Sequence, residues 1–389
     1  MKIRSYSNQR LQKLPPYLFA ELDRRKKEVL AKGVDLISLG VGDPDRPTHP
    51  HIVDAAKKAM DNPAHHKYPF GSGLSEFRNA VANFMKTRFS VTVDPTSEIY
   101  SLIGSKEGIG HLPLGVIDQD DIVLVPDPGY PVYQGSTILA GGEVYYMPLL
   151  EQNNYLPDLN AIPEHVLERA RLMFIGYPNN PTAASATEEF FKKVVEFARE
   201  HEIVIAHDNA YSEMYYGEPP ISFLATPGAK EVGVEFHSLS KTYNMTGWRI
   251  GWICGNKEVV RQLSIVKDNF DSGAFEVVQA AGIAALTGPQ DCVAEMRKMY
   301  KRRRDIFVPP LKKMGWDVNT PDATFYVWAK TPKGLASMET VTHILENAAV
   351  MCTPGHGFGP SGEGYVRFAL TVEEPRLEEA IQRISKLKW

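Results

Sequence analysis

The chain has 389 residues, 43% hydrophobic and 23% charged, with a formal net charge of −4. That length implies two or three domains, or one large and one small, and the slight acidic excess excludes the basic surface that nucleic-acid binding demands. Cys254, Cys292 and Cys352 are far apart and lack metal-ligand spacing, so neither a disulfide framework nor a metal site is expected and a reducing cytoplasm is. Residues 1–16 lack the apolar core of a signal peptide. No stretch approaches the ~20 apolar residues of a membrane span.

In chain order, the first chemical signal is Gly104-Ser105-Lys106, which introduces a helical pattern. The free N–H groups of a helix's first turn favour a phosphate, although an ordinary N-cap reads the same way. Pro113 is predicted to kink this helix. Short apolar runs follow at 121–125 (DIVLV), 172–175, 203–206 and 232–236. Each has the length of a fully buried parallel strand. Between them, 188–201 repeats Phe191, Val194, Val195 and Ala198 at helical spacing. Alternating strand and helix imply βαβ units and a sheet covered on both faces.

In such sheets ligands bind beyond the carboxyl ends of the strands. Asn180, Asp208 and Lys241 each follow a run and are predicted to converge there. The C-terminal part reads as an α+β unit: a helix over 291–313, a strand over 323–329, a helix over 338–347, a glycine-rich turn over 353–364, a strand over 365–370 and a final helix. The basic run within 295–305 is expected to be a solvated helix face.

The string SLSKTYNMTGWRIG (238–251) places Lys241 beside small and hydroxyl residues just after a strand. Burial depresses an ammonium pKa, and only the neutral amine attacks a carbonyl. Ser238, Ser240 and Arg249 supply the hydroxyls and fixed positive charge a phosphate dianion requires. In DNAY, Asp208 is suited to face a pyridine nitrogen and keep it protonated, and Tyr211 to donate to a phenolic oxygen; a strand-end Asp also serves as an N-cap. Asn180 in YPNNPT has an amide for the same oxygen, or marks only a turn. Tyr130 in DPGYP is placed to stack on a ring or to anchor its loop. Arg367, inside the strand YVRFAL, is expected to meet a carboxylate, from a neighbouring side chain or from a substrate. Together these residues describe a binding site for pyridoxal 5′-phosphate.

The ordered motifs GSKEG, DPGYPVY, YPNNPT, DNAY, SLSKTYNMTGWRIG and VRFAL resemble those of the fold-type-I pyridoxal-phosphate aminotransferases of class I/II, from about Leu36 onward. The resemblance implies an α/β fold with a mainly parallel sheet sandwiched by helices and a smaller α+β domain. Residues 1–44 would join the small domain, 45–285 form the large cofactor-binding domain and 286–389 the small one. It implies that Lys241 carries the cofactor as a Schiff base and shuttles the proton, and that Asp208 faces the ring nitrogen. Asn180 and Tyr211 would face the phenolic oxygen, Tyr130 the ring. Ser105, Lys106, Ser238, Ser240 and Arg249 would cradle the phosphate. Tyr68, in KYPFGSGL, would reach the phosphate of a partner subunit, which implies a homodimer. Arg367 would bind the substrate α-carboxylate, helped by the backbone at Gly42, with Lys106, Tyr130 and Asn180 also against substrate.

LPPYLF (14–19) and TPGHGFGPSGEGYVRFAL (353–370) are similar to the LL-diaminopimelate aminotransferase group, in which the tyrosine matching Tyr17 contributes to the substrate site. That group exchanges an amino group between LL-2,6-diaminopimelate and 2-oxoglutarate, in lysine biosynthesis. The chain departs from the pattern at Ala183, where glycine is usual, and around FDSGAF (270–275). Alternatives are an aminotransferase for alanine, aspartate or an aromatic acid, a C–S β-lyase on the same fold, and a non-catalytic effector sensor. The last requires an attached DNA-binding domain, for which residues 1–35 are too few.

Overall fold

The structure, a computed structural model, describes residues 8–15 and 18–389, with the side chains of 18–22 left aside. Tyr17 lies outside the described residues. Seven strands build the main sheet: β1 Ile99–Leu102, β2 Ile122–Asp127, β3 Glu143–Pro148, β4 Ala170–Gly176, β5 Val204–Asp208, β6 Gly233–Ser238 and β7 Gly251–Gly255. They lie in the order β1-β7-β6-β5-β4-β2-β3. Neighbours pair parallel except around β7, which is antiparallel to both β1 and β6. The four apolar runs expected as strands are β2, β4, β5 and β6; β4 is longer at both ends, while the other three begin one residue later than expected and run two residues further.

Near-continuous burial of β2, β4 and β6 follows from packing on both faces. Alternate residues Val123, Val125, Leu172, Phe174, Val234 and Phe236 form one core, joined by Leu263 from the helix Lys257–Phe270. Leu124, Met173, Ile175 and Ile205 face the other core, with Phe191 and Val194 from the helix Glu188–Glu200. Each fully buried phenylalanine or leucine of this kind contributes about 1.5–3 kcal/mol.

A second sheet, ordered β9-β10-β8, comprises β8 Tyr326–Lys330, β9 Thr353–Pro354 and β10 Tyr365–Ala369, all antiparallel. The expected strand over 323–329 begins three residues late. Thr324 takes a positive φ of 62°, and its hydroxyl accepts from Tyr326 N–H, so regular pairing starts only there. The helix Asp291–Lys313 has the expected bounds, but its basic run is not simply a solvated face. The inward stripe of Met296, Met299, Tyr300 and Phe307 carries Arg303 with it. Arg303 is fully buried and clamps Asp45 through both terminal nitrogens at 2.7 Å. Helical periodicity, at three- and four-residue steps, puts position 303 on the core side.

Residues 37–42 run beside this second unit. Ile37–Ser38 pairs parallel with Val350–Met351, and Ala369 N donates to Leu39 O at 2.7 Å. Among the described residues no helix is long and apolar enough to cross a membrane.

Candidate active site

The carboxyl ends of β4, β5 and β6 open onto one cavity of about 490 Å³. Every candidate named from the sequence lines it, apart from Tyr68 and the undescribed Tyr17. Asp208 is the last residue of β5 and Ser238 the last of β6. Ser238 caps the short helix Leu239–Thr242, its hydroxyl accepting from Ser240 N–H at 3.2 Å. Lys241 sits within that turn and so points back over the sheet edge.

Its Nζ donates to Gly42 O at 2.7 Å. Burial lowers the Lys241 ammonium to about 8, with Arg367 and Arg249 pressing the same way and Asp43 opposing. An amine that sheds its proton near neutrality is a competent nucleophile and base.

Opposite lies Asp208. Tyr133 Oη donates to its Oδ2 at 2.9 Å and Ala210 N–H to its Oδ1 at 3.2 Å. Burial pushes this carboxyl up, while those two bonds and the nearby His207 and His237 pull it back. A cationic ring nitrogen would relieve the same cost. Tyr133 escaped the sequence reading although DPGYPVY contains it: on the helix Pro131–Ala140 it is one turn from Tyr130 and faces the sheet, stacked on Phe174 at 4.9 Å. Tyr133→Phe is expected to weaken cofactor binding by about ten- to hundredfold, the worth of one hydrogen bond to a charged group. Titrating cofactor into the cofactor-free protein measures this, and an unchanged affinity would remove Tyr133 from that role.

The far wall is suited to an anion. Ser105 and Lys106 open the helix Ser105–Val116, which carries Pro113 and ends at Val116. Gly104 precedes it at φ +76°, and a Cβ there would lie 2.3 Å from Arg249 Nη2. Only glycine lets the guanidinium close on the helix N-terminus. Arg249 itself takes φ +55° and donates to Thr246 O at 2.9 Å. A cation beside first-turn N–H groups and the hydroxyls of Ser105, Ser238 and Ser240 suits a phosphate dianion. The helix is tied at its base by Lys267, whose ammonium lies 2.9 Å from Glu107 and 3.1 Å from Asp271.

Arg367 is 1% exposed on β10, where Thr353 and Trp328 flank it in register. Its Nη1 donates to Asn180 Oδ1 at 2.7 Å and Nη2 to Gly40 O at 2.8 Å. Its Cζ lies 4.2 Å from the ring centre of Tyr326 and 4.6 Å from that of Phe358. Tyr211, buried, meets Tyr326 hydroxyl to hydroxyl at 2.8 Å. Tyr326 is the second residue missed from sequence; in an apolar strand its hydroxyl gave no sign of facing the cavity. Tyr130 N-caps the helix Pro131–Ala140 and lines both this cavity and an adjoining apolar one of about 930 Å³. Tyr68 is elsewhere, 73% exposed.

Residues 34–384 match the family model described as aminotransferase class I and II. The chain belongs to this family. A relative named LL-diaminopimelate aminotransferase from Syntrophobacter fumaroxidans is 54% identical over 98% of each chain, and one of the same name from Aquifex aeolicus is 56% identical over 97% of this chain and 98% of its own. Among solved structures, substrate-bound BacF from Bacillus subtilis superposes with a TM-score of 0.95 at 38% identity, covering 98% of both chains. A probable N-succinyldiaminopimelate aminotransferase from Thermus thermophilus has a TM-score of 0.91 at 35% identity, covering 95% of this chain and 99% of its own. This aminotransferase is an enzyme of fold type I, and its cofactor is pyridoxal 5′-phosphate. The lysine, the carboxylate and the anion cradle fit that group on the geometry of this chain alone.

Proposed function

We propose that this aminotransferase interconverts LL-2,6-diaminopimelate and 2-oxoglutarate with tetrahydrodipicolinate, L-glutamate and water, in lysine biosynthesis. The observation that carries the reading is an identity of 51–56% over nearly the full length of eight relatives, all bearing the LL-diaminopimelate aminotransferase name. The cytoplasm is the expected location.

When bound, the cofactor supplies an electron sink for the carbanion at the substrate Cα. The chain's residues do the rest. Lys241 would hold the cofactor covalently, and its free amine would serve as the base toward the Cα proton. Asp208, whose carboxylate accepts from Tyr133 Oη and Ala210 N–H, would face the ring nitrogen and favour its protonated form. Asn180 and Tyr211 would hold the phenolic oxygen, Tyr130 would cover the ring, and Ser105, Lys106, Ser238, Ser240 and Arg249 would hold the phosphate. Arg367, with the backbone at Gly42, orients the α-carboxylate, with Lys106, Tyr130, Asn180 and Tyr17 completing the substrate side. The reading divides the chain into a large domain, 45–285, and a small one, 286–389, with 1–44 joining the small domain; the pairing of 37–38 with 350–351 supports that last placement.

A homodimer is part of the proposal. The exposed aromatics Tyr68, Phe70 and Phe270, 73%, 78% and 66% accessible, support a face covered by a second copy. Tyr68 would then reach the partner's phosphate.

The test is a half-reaction. Candidate amino acids are added singly to the loaded enzyme, and loss of the cofactor's visible absorbance reports amino-group transfer. LL-diaminopimelate and glutamate are expected to react, with alanine, aspartate and aromatic acids slower by orders of magnitude. Inert LL-diaminopimelate beside a reactive aspartate would overturn the substrate assignment.

A further inference from the structure

Tyr326 touches three parts of the site at once. It is 3% exposed and enters the cavity from β8. Its Oη lies 2.8 Å from Tyr211 Oη, and Arg367 Cζ stands 4.2 Å from its ring centre. A Cβ added to Gly42 would fall 2.1 Å from the same Oη. The missing side chain at position 42 thus makes the room in which the hydroxyl sits.

Each phenol has one hydrogen to give. Burial pushes both upward from the ordinary phenol range, Tyr211 well above it, so both stay protonated. The pair therefore has two hydrogens and needs only one between its oxygens. The charged and titratable groups around it include Arg367, Asp208, Asp43 and Tyr130, and Lys241 reaches Gly42 O beside it. Of the cations, Arg367 lies over the Tyr326 ring. A cation on the π face draws electron density from the ring and makes its hydroxyl the stronger donor. With Tyr326 donating to Tyr211, the Tyr211 hydrogen is left for the cavity.

From this geometry we propose that Tyr326 is a positioning residue with two separable duties. Its hydroxyl donates to Tyr211 and commits the Tyr211 hydrogen to the cofactor's phenolic oxygen. Its ring supports one face of the Arg367 guanidinium that receives the substrate carboxylate. The proposal rests on the reading that Tyr211 contacts that oxygen.

A donor on the phenolic oxygen draws negative charge away from the neighbouring nitrogen through which Lys241 is attached. That nitrogen then holds its proton less tightly. Weakening the donor must move the pH midpoint of the cofactor's visible absorbance upward. Four holoenzymes are compared by spectrophotometric titration: wild type, Tyr326→Phe, Tyr211→Phe and the double variant. Tyr326→Phe is expected to raise the midpoint by about 0.3–1 unit, the effect of one neutral hydrogen bond. Because the ring remains, KM for the amino donor should stay within about twofold. Tyr326→Leu, which removes the ring as well, should raise KM by about three- to tenfold. In the Tyr211→Phe background the Tyr326 hydroxyl should no longer matter.

A raised midpoint in Tyr211→Phe with none in Tyr326→Phe overturns the proposal and leaves the role of Tyr211 intact. No shift in Tyr211→Phe removes the underlying reading, and the proposal with it. Should Tyr326→Phe lose its cofactor, replacing Tyr326 by 3-fluorotyrosine serves instead. The more acidic phenol is a stronger donor in the same place, so a downward shift of the midpoint is expected; an unmoved midpoint there overturns the inference.

Discussion

Lys241→Ala is expected to cut turnover by at least about 10⁴-fold, the upper range for a positioned acid–base group. It should also abolish covalent attachment: after borohydride reduction and denaturation, the wild-type peptide containing Lys241 carries the cofactor's mass and the variant's does not. Retention of wild-type activity would show that another amine does the chemistry. The same residue has a measurable effect on stability. In the cofactor-free protein its pKa falls from 10.5 to about 8 because the cavity disfavours the ammonium. Below about pH 8 the folded chain bears that whole penalty, and above 10.5 it bears none. Stability from this group is therefore present at high pH and lost as pH falls through the folded value. Lys241→Met should be more stable than wild type at neutral pH by about 1–3 kcal/mol. Denaturant unfolding of the two cofactor-free proteins should show the gap closing as pH rises through that window.

Arg367→Ala is expected to lower kcat/KM by about tenfold to more than a hundredfold, for the amino acid and the oxo acid alike. On the proposed reading both substrates present an α-carboxylate to the guanidinium, so one loss affects both halves of the reaction. Cofactor content should hold, because the anion cradle around Arg249 and Ser105 is untouched. Arg367→Lys should recover little. A single ammonium cannot bond Asn180 Oδ1 and Gly40 O together as the two terminal nitrogens do. Equal losses for cofactor and substrate binding would instead mark Arg367 as purely structural.

How much of this was legible beforehand varied with the physics of each residue. Asp208, Ser238 and Lys241 could be read because short, mostly apolar runs end at or just before them, and polar residues at the carboxyl end of such a strand must lie at the sheet edge. Short βαβ spacing likewise made the main sheet predictable. The antiparallel β7 was not, since nothing local records the direction in which a strand is traversed. Tyr133 and Tyr326 were missed for a related reason. Each sits in an apolar segment where a tyrosine serves as core, and only tertiary packing turns its hydroxyl toward Asp208 or Tyr211. Arg303 misled in the opposite sense: surrounded in sequence by exposed charge, it is carried inward by helical phase and held by Asp45.

The stretch from Gly40 to Asp45 is gripped from far along the chain. Gly40 O accepts from Arg367 and from Thr353 Oγ1 at 2.7 Å, Gly42 O from Lys241, and Asp45 from Arg303. During synthesis, then, the early segment emerges from the ribosome long before most of its partners exist. Ring closures of this span are entropically slow. A nascent chain stopped short of β10 would already own its lysine and phosphate loop yet could not shut the substrate side. Competence for catalysis should switch on only when translation is nearly finished.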